Sequence, residues 1–86
     1  MTVDADTAVR GILRDALGIP ADRVAAFERT SPLFGAVPEL DSMAVANLLT
    51  EMEDRLGIFI DDDEIDGEML ETFGGLVDFT ARKLAG

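Results

Sequence analysis

The side chains of this protein permit only a narrow range of chemistry. It contains no Cys and no His. That removes thiol nucleophiles, disulfides and thiolate zinc sites, together with the commonest general base and metal ligand. Carboxylates and hydroxyls remain, and one hydroxyl is distinctively placed. Asp41-Ser42 falls where a connection bearing Pro20, Pro32 and Pro38 meets the clearest helical pattern in the chain. Asp and Ser both accept hydrogen bonds from the free N–H groups of a helix's first turn, so the pair alone predicts an N-cap. Ser42 has no His or Lys partner to activate it, which argues against a catalytic nucleophile.

The carboxylates suggest two other chemistries, and both fit poorly. With Gly67 at the sixth position of an EF-hand loop, Asp62, Glu64 and Asp66 occupy positions one, three and five. Position twelve is then Phe73, where a bidentate Glu is needed, so no metal site is assigned. Paired carboxylates for acid–base work exist, but no nucleophile–base pair accompanies them and 86 residues leave little chain to enclose a pocket. The chain is expected not to be an enzyme.

The elements that must position Ser42 follow from hydrophobic spacing. In residues 42–56, Val45, Leu48, Leu49, Met52 and Leu56 form one stripe that Gly57 terminates. At 100° per residue Met43 lies nearly opposite that stripe, on the face of Asn47, Thr50 and Asp54. An apolar residue there, beside a helix-start Ser, reads as a contact for something that docks. Residues 5–17 predict a second helix through Val9, Ile12, Leu13 and Ala16, with Asp4 and Asp6 at its start and Gly18 and Pro20 after it. The connection 18–41 holds Val24, Phe27, Leu33 and Phe34, apolar enough to pack over the core, with a short helical turn near Ala21–Phe27.

Beyond residue 57, Ile58 and Ile60 flank Phe59 in an extended link, and Asp61 to Leu70 allow only a short helix that Gly67 interrupts. The last helix runs from about Phe73 to Leu84, with Phe73, Leu76, Val77, Thr80 and Leu84 on its core face and Phe79 off it. Gly74-Gly75 in its first turn signals either a close approach or a frayed end. The expected fold is all-α: a small bundle of three main helices and one short helix, a single domain over residues 1–86.

Charge is unevenly distributed. Eighteen acids face seven bases, a net −11, and residues 39–71 alone hold twelve acids and one base, Arg55. One strongly negative face follows, which argues against binding nucleic-acid backbones or anionic membranes. No apolar run is long enough for a membrane span, and Met1-Thr2-Val3-Asp4 lacks a signal peptide's basic start. A cytoplasmic location, and a monomer, are expected.

The runs Leu33-Phe34-Gly35, Leu40-Asp41-Ser42-Met43 and Glu51-Met52-Glu53-Asp54-Arg55-Leu56-Gly57-Ile58 together resemble the acyl carrier protein family. Ile60-Asp61-Asp62-Asp63-Glu64 and Thr72-Phe73-Gly74-Gly75-Leu76 extend the resemblance over nearly the whole chain. It implies an acyl-carrier-like bundle whose Ser42 carries 4′-phosphopantetheine, with Asp41 helping the phosphopantetheinyl transferase recognise the site. It also implies an acyl-activating ligase or synthase that loads the arm and an acyltransferase that unloads it. Met43, Asn47, Glu51 and Asp54 are then the expected partner-docking residues. Carriers of fatty acid synthesis place acids early in this helix, whereas here none precedes Glu51, which favours a specialised pathway. Leu40-Asp41-Ser42-Met43 with Ala36-Val37-Pro38-Glu39 is similar to the carrier of PEP-CTERM/exosortase clusters. A D-alanyl or other aminoacyl carrier is the alternative, though the chain has no Trp. From another class, an acidic helical adaptor anchored by Met43 would leave Ser42 dispensable.

Overall fold

The computed structural model describes residues 4–85; Met1, Thr2 and Val3, on which the expected lack of a leader rests, lie outside them. The first helix, α1 (Ala5–Leu17), begins where Asp4 caps it, its carboxylate accepting from Asp6 N–H at 3.3 Å and Thr7 Oγ1 at 2.7 Å. It ends at Gly18, whose φ of 70° turns the chain while its N–H donates to Arg14 C=O at 3.1 Å. Between these stops Ala5, Val9, Ile12 and Leu13 face inward. Pro20 then opens a short α2 (Ala21–Ala26), which buries only Val24.

α3 (Ser42–Leu56) is the longest helix, and Gly57 closes it with φ 64°. Its inward stripe is narrower than the spacing predicts. Leu48 and Met52 are fully buried, whereas Val45, Leu49 and Leu56 are half-buried at the edge of the core. A single 3-10 turn (Asp62–Glu64) precedes α4 (Gly67–Glu71), and α5 (Phe73–Ala85) completes the chain. α1 packs against α3, α5 and α2, and α4 packs against α5.

Three long helices and a short one, α4, agree with the sequence, and the helical turn expected near Ala21–Phe27 is a second short α-helix, α2. Gly67 is the first residue of α4 and not an interruption, because Asp66 caps it, accepting from Met69 N–H at 3.0 Å. Phe79 is buried, contrary to its place on the helical wheel, since α4 covers a second side of α5. Phe34 is half exposed, not packed into the core.

The centre of the fold is Phe73. Its ring stacks on Phe27 with centroids 5.7 Å apart, and the Arg10 guanidinium lies 4.5 Å above it. Arg10 also donates to the carbonyls of Val24 and Phe27 and pairs with Asp6, so one cation fastens α1 to the end of α2. Main-chain bonds join the loop before α3 to the α4–α5 junction. Leu33 N–H donates to Glu71 C=O, Phe34 N–H to Leu70, Phe73 N–H to Ser31 and Gly74 N–H to Arg29, all at 2.8–3.0 Å. Pro32 and Thr72 form an isolated antiparallel bridge there. This seam explains Gly74: a Cβ would sit 2.8 Å from Arg29 C=O. At Gly75 it would sit 2.8 Å from Glu68 C=O. The glycines mark close approaches to backbone, not a frayed end. No helix among the described residues is long and apolar enough to cross a membrane.

Candidate functional site

Ser42 is the first residue of α3, and the loop before it is anchored to the body of the fold. On the approach, Leu33, Val37 and Leu40 are buried anchors, and Gly35 at φ 91° lets the loop turn between the first two. Ala36 and Val37 N–H groups return to Leu33 C=O at 3.0 and 2.9 Å, and Leu40 N–H returns to Val37 C=O at 3.0 Å. An Arg23–Glu39 ion pair ties the last part of this loop to α2. The Arg23 guanidinium holds the Glu39 carboxyl below its usual range.

Asp41 then acts as the predicted N-cap. Its Oδ1 accepts from Ala44 N–H at 2.8 Å, and its carbonyl accepts from Val45 N–H at 3.0 Å. The N–H groups of Ser42 and Met43 lie in the part of the turn where a helix has no carbonyl of its own to offer. With partial positive charge on that end, the position favours an anion attached to the serine. The Asp41 carboxylate is committed to the cap and the chain has no His. Ser42 is therefore an exposed hydroxyl held in place without a general base.

Beside it lies a groove of about 320 Å³, walled by Phe34, Val45, Ile65 and Leu70 with Asp66 and Gly67 at the rim. That is the small end of the range for ligand pockets, about 300–1,000 Å³. The turn that precedes Ile65 is braced. Lys83 Nζ donates to both oxygens of Glu64 at 3.0 and 2.9 Å, and Glu64 Oε2 also accepts Asp61 N–H at 2.9 Å. The Asp61 N–H, and then Lys83, hold the Glu64 carboxyl below its usual range. The half-exposed Phe34 thus belongs to the site, because its main chain is bonded to Leu70 and its ring faces the groove.

The expected docking residues separate into two kinds. Met43 is 81% exposed, and Asn47 and Asp54 are exposed on the same helix. Glu51 is different. It is half-buried and accepts from Arg55 Nε at 2.8 Å, while Arg55 also reaches Asp15 at 2.7 Å. That carboxylate is already occupied within the molecule. Phe34, Ile65 and Leu70 were not singled out from the sequence as site residues. The short run Leu33-Phe34-Gly35 pointed toward Phe34, but its apolar character pointed equally to the core.

The acidic segment does not converge on a centre. Asp66 caps α4, Glu64 pairs with Lys83 and Phe73 is fully buried in the core. Among the described residues no group of three or more acids is placed to hold a metal ion.

Comparison with known proteins bears on this geometry. The family described as "Phosphopantetheine attachment site" matches residues 7–80. The chain is 40% identical to a holo acyl carrier protein from Nitrosomonas europaea whose solution NMR structure is known. The two superpose with a TM-score of 0.86 over 98% of this chain and 100% of that one. No curated relative matches.

Proposed function

The chain belongs to the phosphopantetheine attachment site family as an acyl carrier protein, not an enzyme, and we propose that Ser42 bears its 4′-phosphopantetheine arm. One observation carries the assignment: an exposed serine hydroxyl at the open start of α3, beside an apolar groove. When bound, the arm supplies a thiol on which cargo is held as a thioester.

The rest is done by this chain's own residues. Asp41 holds the helix start in register, so the Ser42 hydroxyl stands clear of the body for an external transferase. That enzyme supplies the base. The Ser42 oxygen joins the pantetheine phosphate of coenzyme A, the phosphoanhydride bond breaks, and the nucleotide part leaves. The helix N-terminus favours the resulting anion through the Ser42 and Met43 N–H groups. Phe34, Val45, Ile65 and Leu70 offer apolar cover beside it. Tethering replaces diffusive encounters with a local concentration of about millimolar for a short flexible link.

Delivery rests on the surface around Ser42. Met43, Asn47 and Asp54 are open to partners, and the net −11 charge steers association with basic ones. The first turns of α3 carry no acid, so close contact there is more apolar than in a general fatty-acid carrier. That supports a specialised pathway with a dedicated charging ligase or synthase and a dedicated acyltransferase. An arm drawn from coenzyme A supports a cytoplasmic location.

The test is intact mass. Incubated with coenzyme A and a broad-specificity phosphopantetheinyl transferase, the wild type gains one arm and Ser42→Ala gains none. No gain by the wild type, with a control carrier modified in the same tube, would overturn the assignment.

A further inference from the structure

Four large apolar side chains are exposed, Phe34, Met43, Phe59 and Ile65, and Met43 and Phe59 most of all. Three of them belong to the surroundings of Ser42, since Phe34 and Ile65 wall its groove and Met43 follows it in α3. Phe59 does not. α3 spans 15 residues, which at the usual rise is about 22 Å. Phe59 lies three residues past its far end.

Its exposure is imposed by the backbone. In the extended link after Gly57, side chains alternate sides. Ile58 packs against the core and Ile60 is buried, which turns the intervening Phe59 outward with 68% of its surface open. The link is pinned, because Ile60 N–H donates to Glu53 Oε2 at 2.9 Å.

The electrostatic surroundings specify what fits on this ring. Asp54, Asp61, Asp62 and Asp63 are exposed along the same stretch and enter none of the ion pairs of the described residues. The bases are already engaged. Arg10, Arg14, Arg23, Arg29, Arg55 and Lys83 each pair with another acid. Arg82 lies over the Phe79 ring. Lys83 meets Glu64 in this turn, but no base of the described residues pairs with Asp54, Asp61, Asp62 or Asp63, which leaves these four for a basic partner. A second copy would bring the same acids face to face, and an anionic lipid surface would repel them.

The geometry points to Phe59 as the anchor of a second docking surface, occupied by a protein that offers an apolar socket rimmed with Lys and Arg. The occupant is a partner enzyme of the carrier, which grips both ends of α3 and so fixes the position of Ser42 relative to its own active site. This rests on the carrier reading above.

The experiment measures binding of the apo chain, labelled at its N-terminus, to two enzymes of the same cell by fluorescence anisotropy. They are its phosphopantetheinyl transferase and the enzyme that charges its arm. Phe59→Ser should weaken affinity for at least one of them by about tenfold, the scale of an interface anchor, and Phe59→Leu should recover most of it. Asn at Asp61, Asp62 and Asp63 should weaken binding at low salt, with the gap closing near about 0.5 M salt as screening shortens. Unchanged affinity for both enzymes with Phe59→Ser would overturn the proposal. So would a wild-type dimer in sedimentation that Phe59→Ser dissolves, since the occupant would then be a second copy. Because binding is read on the apo chain, these results do not depend on whether Ser42 accepts the arm. Failure of the mass test indicts Ser42, and failure here indicts only Phe59.

Discussion

α3 and α5 begin in nearly the same way and are used for opposite ends. Each is preceded by a short polar residue whose oxygen accepts an N–H three positions on, Asp41 from Ala44 at 2.8 Å and Thr72 from Gly75 at 3.0 Å. At α5 the next two N–H groups are spent on the main chain of the loop before α3, Phe73 on Ser31 and Gly74 on Arg29. Both residues are buried there. At α3 the corresponding residues, Ser42 and Met43, are exposed. A helix start whose donors are taken by backbone is a structural joint. One whose donors are left open keeps its partial charge for something that arrives later.

The contrast is broken most severely at the closed start. Phe73→Ala removes the ring between Phe27 and Arg10, and should cost about 3–5 kcal/mol in urea unfolding. That is a large part of the 5–15 kcal/mol typical of a domain. Its midpoint should fall further than that of any single substitution in α3's first turn. Gly74→Ala should cost about 1–3 kcal/mol, because the atom its Cβ meets at 2.8 Å is a backbone carbonyl that cannot swing away.

The caps sharpen the comparison. Asp41→Ala and Thr72→Ala should each cost about 1 kcal/mol as lost N-caps. Only Asp41→Ala should also slow arm transfer, read as the rate of mass gain at a temperature where both variants are folded. Equal rates would mean that the cap does no more at α3 than at α5.

The smallest effect is on pH dependence. Asp15 is held below its usual 3.8 by Arg55, Asp78 below 3.8 by Arg29, and Glu39 below 4.5 by Arg23. Glu64 is held below 4.5 by Asp61 N–H and then Lys83. These groups ionise more readily folded than unfolded, so their stabilisation is present above the unfolded values and is lost as pH falls through the lower folded ones. Asp15 and Asp78 are open to water and Glu39 and Glu64 partly so, so the loss should be gradual. Thermal melts should be flat above the usual 4.5 of Glu and decline below the usual 3.8 of Asp. Lys83→Met should reduce the part of that decline belonging to Glu64 without removing it, since the Asp61 N–H remains.

Much of this was readable in the residues, for identifiable reasons. α1 and α3 carry a cap, a stripe and a left-handed glycine each, three signals that agree, so their ends fell where expected. The place of Ser42 at a capped helix start was legible because the cap and the connection before it are local. The groove was not, because Phe34, Val45 and Ile65 are brought together from three segments by the packing of α3 and the loops. α2 and α4 are too short to show a period. Phe79 misled because a helical wheel allows one buried side, and α5 has two once α4 lies across it. What the spacing did not show at Glu51 is that Arg55 engages its carboxylate while also reaching Asp15 on α1.

The seam between residues 29–34 and 70–74 also has a consequence for how the molecule assembles. It joins positions about 40 residues apart, and the chain between them, Ser42 and all of α3 included, forms a loop pinched at its base. Closing such a loop costs chain entropy before its four main-chain bonds can repay it. The base of the loop therefore forms among the late, non-local events of folding. During synthesis its second half emerges last, so the helix that bears Ser42 exists for a time without its lower boundary. A truncation before Phe73 would keep Ser42 and its cap but lose the clasp that gives them a fixed frame.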